Sequence, residues 1–132
     1  MLLTPDELLY VARTVWIEAR GEPREGKRAV FHVLANRAGR RGTDLIYEAA
    51  RPWQFSGWNP GDHHREKARQ LTLASSSFRH ALCAVLEALD EDDTTYGSRH
   101  YHADWMNPFP DWAVGKRHVA HIGQHLFYEG IR

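Results

Sequence analysis

Glu18 is the residue whose type and position best suit acid–base chemistry in this sequence. Apolar residues recur at helical spacing over residues 8–19, and Glu18 follows Val11 by about two turns, on the shoulder of the apolar face. Burial of a carboxylate in such a place raises its pKa toward the range in which it exchanges protons at neutral pH. Glu18 is therefore a candidate general acid and base, although an ion pair with Arg13 or Arg20 is, taken alone, the simpler explanation.

A single acid beside a sugar-binding groove can cleave a glycosidic bond in two ways. A hydrolase generally uses a second carboxylate, about 5 Å away for retention and further away for inversion. A lytic transglycosylase needs one acid, which protonates the leaving oxygen and then takes the proton of the 6-hydroxyl that attacks the anomeric carbon. No second acid has a setting comparable to that of Glu18, while Glu22, Asp104 and Asp111 stay open as alternatives. Glu22 could instead cap the helix that Pro23 begins.

Aromatic and polar residues alternate in the segment W-Q-F-S-G-W-N, residues 53–59. Aromatic rings can stack on sugar faces, and polar side chains there can bind hydroxyl and acetamide groups. We predict that Gln54, Ser56 and Trp58 line a glycan groove. Phe55 is expected to pack into the core beneath this loop.

Paired histidines raise the alternative of a zinc site. A hairpin turn at residues 123–124 would place His121 and His125 on opposite faces of a sheet, where they cannot share an ion. His100 and His102 share a face but lack a third ligand. We therefore predict a metal-free site without a cofactor, and a zinc-dependent amidase or peptidase is the alternative.

The hydrophobic pattern predicts an α+β fold, with five helices followed by a small antiparallel sheet in one domain over residues 1–132. A capping box at Thr4–Glu7 begins the first helix. Gly39 is expected to end the second helix, and the last two helices are expected over residues 62–74 and 76–90. Leu86 is expected in the buried stripe of the last helix.

Balanced charge and modest hydropathy exclude several classes of protein. The 17 Lys and Arg match the 17 Asp and Glu, so the chain has no basic footprint for nucleic acid or an anionic membrane. No apolar run is long enough to insert into a membrane, and the N-terminal segment does not have the pattern of a signal peptide. The single cysteine, Cys83, excludes an internal disulfide, and its apolar neighbours predict that it is buried.

Six segments, in this order, resemble the cell wall hydrolases of the SleB/CwlJ type, typified by the spore cortex-lytic enzymes. They are A-R-T-V-W-I-E-A-R-G-E-P-R-E-G, A-V-F-H-V-L-A-N-R, Q-F-S-G-W, S-R-H-Y-H-A, P-D-W-A and H-I-G-Q-H-L-F-Y. The resemblance implies a lysozyme-like, transglycosylase-like domain with a helical lobe and a small β-lobe around a cleft. It also implies action on peptidoglycan, with the catalytic glutamate at Glu18, the aromatic–polar loop at residues 54–58, and sheet residues at Tyr101 and His102.

Together these observations predict a lytic transglycosylase that cleaves the MurNAc–GlcNAc backbone of peptidoglycan. The residues expected to position the glycan are Glu22, Gln54, Ser56, Trp58, Tyr101, His102 and Trp112. The alternatives are a muramidase-type or glucosaminidase-type hydrolase, the zinc enzyme described above, and a wall-binding module without catalysis.

The absence of a recognisable export signal leads to an expectation about biological setting. The spore proteins are typically exported and often carry wall-binding repeats, neither of which is seen here. We expect a monomer made in the cytoplasm that reaches the cell wall only after release. A phage or prophage endolysin released through a holin would fit this expectation, and the muramic-lactam selectivity of the cortex enzymes is not carried over.

Overall fold

The computed structural model describes residues 3–50 and 63–131. This part of the chain contains five α-helices followed by three strands, so the predicted α+β class is confirmed. No helix in it is long and apolar enough to cross a membrane. The elements are α1 (Pro5–Glu18), α2 (Arg24–Arg41), α3 (Leu45–Ala50), α4 (His63–Arg69), α5 (Ser76–Leu89), β1 (His100–Ala103), a 3₁₀ helix (Asp111–Ala113), β2 (Ala120–Ile122) and β3 (His125–Tyr128).

The first helix begins as its sequence predicts. The Thr4 hydroxyl accepts a hydrogen bond from the Glu7 backbone N–H at 3.1 Å, and the Glu7 carboxylate accepts one from the Thr4 N–H at 3.0 Å. This reciprocal capping box satisfies two donors that a helix start would otherwise leave exposed. The last residue of α1 is Glu18, so the candidate acid sits where the helix gives way to a turn.

The second helix is longer than predicted. It passes through Gly39 and ends at Gly42, whose positive φ of 70° is the left-handed conformation that suits a helix end. The expectation that Gly39 stops the helix is therefore wrong. A glycine inside a helix costs only about 1 kcal/mol, which the surrounding turns of α2 tolerate.

Three expectations about the later helices are also wrong. Helix α4 ends at Arg69, whereas helix was predicted as far as residue 74. In α5 the buried face is formed mainly by small residues and one ring, whereas Leu86 is 48% exposed and Cys83 is exposed. Alanines on the inner face let α5 pack closely against α1 and α2, and Leu86 is turned by about 100° from buried Val85.

The three strands form an antiparallel sheet in the order β1-β3-β2. The β2–β3 hairpin pairs Ile122 with His125 and His121 with Leu126, which is the predicted register. Because successive residues of a strand point to opposite faces, His121 and His125 lie on opposite faces, as predicted.

Each face of the sheet packs on a different core. On one face Phe127 is fully buried against Ala29 and Val33 of α2. On the other face Leu126 and Tyr128 pack with other residues into a small second core. The sheet is therefore covered by the helices on one side only.

Asp93 organises the segment between α5 and β1. Its carboxylate accepts hydrogen bonds from the Asn36 side chain at 2.7 Å and from the backbone N–H groups of Thr95 and Gly97, both at 2.8 Å. Burial alone would raise the pKa of Asp93, but the hydrogen bonds outweigh it and lower the pKa below its usual value. The ionised form of Asp93 therefore stabilises the folded protein.

Asp93→Asn is expected to lower the free energy of unfolding by about 1–3 kcal/mol at neutral pH, because a charged acceptor of several hydrogen bonds is lost. A lowered carboxyl pKa gives stability that is present above about pH 4 and is lost as the pH falls through the folded-state value. Urea unfolding of both proteins should therefore show the difference shrinking in acid. Asp92→Asn, at an exposed neighbouring position, is the matched control, and a difference that does not change with pH would contradict this account.

Candidate active site

Glu18 and Tyr101 meet where the end of α1 faces β1. The Tyr101 hydroxyl lies 3.5 Å from Glu18 Oε2, and the Tyr101 ring packs against both the helical core and the sheet. Burial, followed by the charge of Glu18, raises the pKa of Tyr101 well above its usual value. The phenol thus stays protonated and can donate a hydrogen bond to the carboxylate over the whole physiological range. The structure brings together these two predicted site residues.

Glu22 ties the β-hairpin to the junction between α1 and α2. Its side chain is buried, and its Oε1 accepts a hydrogen bond of 2.9 Å from the backbone N–H of Gln124 in the hairpin turn. Pro23 is the N-cap residue of α2 and no side-chain hydrogen bond caps this helix, so the alternative role of Glu22 as a helix cap is wrong. Glu22 instead joins two parts of the fold that are distant in sequence.

His125 lies between Glu22 and Tyr101. Its Nδ1 is 3.0 Å from Glu22 Oε1, which is within ion-pair distance, but the angles do not meet those of a hydrogen bond. The centroid of the His125 ring is 4.9 Å from that of Tyr101. Burial lowers the pKa of His125, and the nearby charge of Glu22 opposes this only in part. Glu18, Tyr101, His125 and Glu22 thus form a continuous line of side chains, which we call the seam, between the helices and the sheet.

Arg37 brings a positive charge close to the seam. Its Nε donates a hydrogen bond of 2.6 Å to the backbone carbonyl of Arg99. Burial lowers the pKa of its guanidinium, while the carboxylates of Glu48 and Glu18 oppose the shift. The sequence analysis gave Arg37 no role, yet it follows buried Val30 by about two turns, the same signal that singled out Glu18.

His102 and Trp112 lie on the other side of the sheet from Tyr101. The His102 ring is buried, with Nε2 at 2.8 Å from the Tyr128 hydroxyl and Nδ1 at 2.8 Å from the Ala103 carbonyl. Its ring centroid lies 5.6 Å from that of Trp112, which packs on the second core. The structure does not bring these two residues to Glu18, because alternate residues of a strand point to opposite faces. They pack against each other on this face, and their role in positioning the glycan stays a prediction.

The other predicted site residues lie elsewhere. Gln54, Ser56 and Trp58 fall outside the described residues. Asp104 pairs with the exposed His121 at 2.9 Å, and Asp111 is exposed at the start of the 3₁₀ helix. In the described ranges 3–50 and 63–131, no three His, Cys, Asp or Glu side chains are grouped so that they could hold a metal ion.

Comparison with known proteins identifies the family. The family model described as cell wall hydrolase matches residues 21–128. The chain belongs to the cell wall hydrolase family. The match in this cell wall hydrolase begins just after Glu18 and includes Glu22, Tyr101 and His125. Among curated proteins, no relative matches the sequence.

Two solved structures share the fold of this cell wall hydrolase. One is the catalytic domain of the germination-specific lytic transglycosylase SleB from Bacillus anthracis, with 24% identity, a TM-score of 0.72 and coverage of 95% of each chain. The other is the catalytic domain of the Bacillus cereus SleB protein, with 23% identity, a TM-score of 0.74 and coverage of 96% of this chain and 91% of that one. The resemblance to the SleB/CwlJ type is therefore confirmed.

Gly123→Ala is expected to loosen the hairpin from the helices. Gly123 has a φ of +58°, and a Cβ there would lie 2.8 Å from Glu22 Oε1. The free energy of unfolding should therefore fall by more than the roughly 1–2 kcal/mol that a left-handed backbone alone costs. Gly115→Ala is the matched control, because Gly115 has a φ of +75° with open space around it. If urea unfolding shows the same loss of unfolding free energy for both variants, the contact between Glu22 and the turn does not contribute to stability.

Proposed function

We propose that this cell wall hydrolase cleaves the glycan backbone of peptidoglycan as a lytic transglycosylase, with Glu18 as its acid and base. The observation that carries the proposal is the position of Glu18 at the end of α1, with the Tyr101 hydroxyl 3.5 Å from its Oε2. Family membership supports a substrate in the cell wall. The Bacillus anthracis protein that shares the fold is described as a lytic transglycosylase, which supports the reaction type.

In the first half of the proposed reaction, protonated Glu18 gives its proton to the glycosidic oxygen as the bond from that oxygen to the anomeric carbon breaks. The 6-hydroxyl of the same muramic sugar then attacks the anomeric carbon, and the Glu18 carboxylate takes the hydroxyl proton. Glu18 returns to its protonated form, no water is consumed, and the product ends in a 1,6-anhydro sugar. A hydrogen bond from Tyr101 would stabilise the carboxylate between the two proton transfers.

The proposal also covers the glycan-binding loop, the oligomeric state and the biological role of the protein. Gln54, Ser56 and Trp58 stay predicted glycan-binding residues, and a monomeric catalytic domain over residues 1–132 stays a prediction. The endolysin role is a separate proposal. Lysis of cells that express the protein together with a holin, and not without one, would test it.

A hydrolase is the second candidate, because Glu22 supplies a buried carboxylate in the same seam. A hydrolase would use it to activate water or to form a covalent intermediate. The hydrogen bond from Gln124 to Glu22 Oε1 favours the structural role of Glu22 described above. The chemical end of the released fragments distinguishes the two reactions.

Glu18→Gln is expected to keep the fold and to reduce glycan cleavage by about 10²–10⁴-fold, the contribution typical of a general acid–base group. The measurement is mass spectrometry of fragments released from purified sacculi. The control is Glu25→Gln, which removes an exposed carboxylate near the start of α2 and should leave the rate unchanged.

Each product of that experiment has a defined meaning. Fragments ending in 1,6-anhydro-muramic acid, lost in Glu18→Gln, would support the transglycosylase, whereas fragments one water heavier would support hydrolysis. Cleaved peptide or amide bonds would overturn a glycosidase altogether. Binding to sacculi without any product would support a wall-binding module.

Tyr101→Phe is expected to move the alkaline limb of the pH profile of kcat/KM upward. A hydrogen bond donated to a carboxylate stabilises its ionised form, so losing the hydroxyl raises the pKa of Glu18 and keeps the acid protonated to higher pH. Because the pKa of Tyr101 is raised well above its usual value, loss of the Tyr101 proton does not itself contribute to this limb of the wild-type profile. An unchanged profile would show that Tyr101 does not act on the catalytic acid.

A further inference from the structure

A cleft of 720 Å³ between the C-terminal part of α2 and the start of β1 is lined by positively charged side chains. Among the described residues its lining includes the guanidinium groups of Arg37, Arg40, Arg41 and Arg99, together with the imidazole of His100. The chain as a whole has a formal net charge of zero. The clustering in this cleft, which we call the arginine cleft, is therefore a local feature and does not reflect a basic protein.

In the described part of the chain, carboxylates neutralise the arginine cleft only in part. Arg41 Nε lies 3.3 Å from Glu48 Oε1, whereas in the described part of the chain no carboxylate pairs with the guanidinium of Arg40 or of Arg99. The buried Nδ1 of His100 also has no hydrogen-bond partner there. The cleft thus offers more donors than acceptors.

The dipole of α2 explains only part of this arrangement. A helix C-terminus stabilises nearby cations by about 0.3–1 kcal/mol, which accounts for Arg40 and Arg41 in the last turn. Arg99 and His100 come from the segment that leads into β1 and lie outside α2. The helix dipole therefore does not account for Arg99, and guanidinium groups bind carboxylates in a planar, two-pronged geometry.

The position of the arginine cleft relates it to the seam. Arg99 and His100 directly precede Tyr101, the residue whose hydroxyl faces Glu18. Arg37, which lines the cleft, lies close enough to Glu18 for the charge of that carboxylate to affect the pKa of its guanidinium, so the cleft borders the candidate active site. A ligand in the cleft would therefore be an extension of the substrate that the seam acts on.

The uncharged sugar backbone of peptidoglycan offers such a cleft no ionic partner, whereas the stem peptides attached to it carry carboxylates. We propose that the arginine cleft binds stem-peptide carboxylates of the glycan strand that the seam cleaves. This inference rests on the proposed function. It assigns to Arg40 and Arg99 the binding of the peptide and leaves the bond cleavage to Glu18.

The test is calorimetric titration of the full chain with a free stem tetrapeptide, which has no glycosidic bond to cleave. The Kd for the tetrapeptide should rise by about tenfold or more when Arg40→Gln and Arg99→Gln are combined, since each removes a charge-assisted contact. The matched control is Arg24→Gln. Arg24 is at the opposite end of α2, pairs with Glu87 at 3.4 Å on the surface, and should leave the Kd unchanged. Each single variant and its melting temperature are measured as well, so that a folding defect in the double variant is recognised.

Two further probes identify the chemistry of the ligand. A tetrapeptide with all carboxylates amidated should not bind, and inorganic phosphate should bind more weakly than the tetrapeptide. Equal binding of the amidated peptide, binding of phosphate alone, or a Kd that the arginine variants do not change would each overturn the proposal. Wild-type protein that releases no glycan fragments from sacculi would refute the proposed function, while the peptide titration would still decide the role of the arginine cleft.

Discussion

The hydrogen bond between the Glu22 carboxylate and the backbone N–H of Gln124 joins the two halves of this protein. Glu22 follows the first helix, and Gln124 lies in the turn of the hairpin that ends the sheet. The packing of Phe127 on Ala29 and Val33 and the hydrogen bond from Arg37 Nε to the Arg99 carbonyl also hold the sheet to the helices. Hydrogen bonds are directional, so the contact with Glu22 orients the turn that leads into β3, the strand on which β1 pairs.

Glu48 and Arg37, two charged residues near the seam, both have partners that compensate their charge. Glu48 has no exposed surface, yet its oxygens lie 3.3 Å from Arg41 Nε and 3.1 Å from the Thr43 hydroxyl. Arg37 is held by the Arg99 carbonyl and lies within the fields of Glu18 and Glu48. Removing one partner of such a group is costly, because a desolvated charge is left behind. The electric field at Glu18 therefore depends on Arg37 and on the charged residues around it.

The two faces of the sheet carry different aromatic and histidine side chains. Tyr101, His125 and Phe127 face the helices, whereas His102 and Tyr128 face the second core. The register of β1 on β3, which pairs Tyr101 with Phe127 and His102 with Leu126, makes this division. A shift of one residue would exchange the two sets, so the hydrophobic contacts that fix the register also decide which residues can reach the active site.

Local sequence determined much of this protein. The capping box at Thr4, the helical spacing that placed Glu18 on the shoulder of a buried face, and the turn at residues 123–124 are short-range features, and the structure agrees with each. Their physical basis is a hydrogen bond or a periodicity within a few residues, which requires no knowledge of the rest of the chain. The ordered segments also allowed the family to be recognised before the fold was seen.

Tertiary structure alone decided the rest. The end of α2 at Gly42, the exposure of Leu86 and the joining role of Glu22 depend on which elements pack together, and spacing along one helix does not contain that information. The same holds for the separation of His102 from Tyr101 and for the gathering of arginines from α2 and from the start of β1 in one cleft. Burial and electrostatic fields depend on distance in space, so residues far apart in sequence acquire their roles only when the chain has folded.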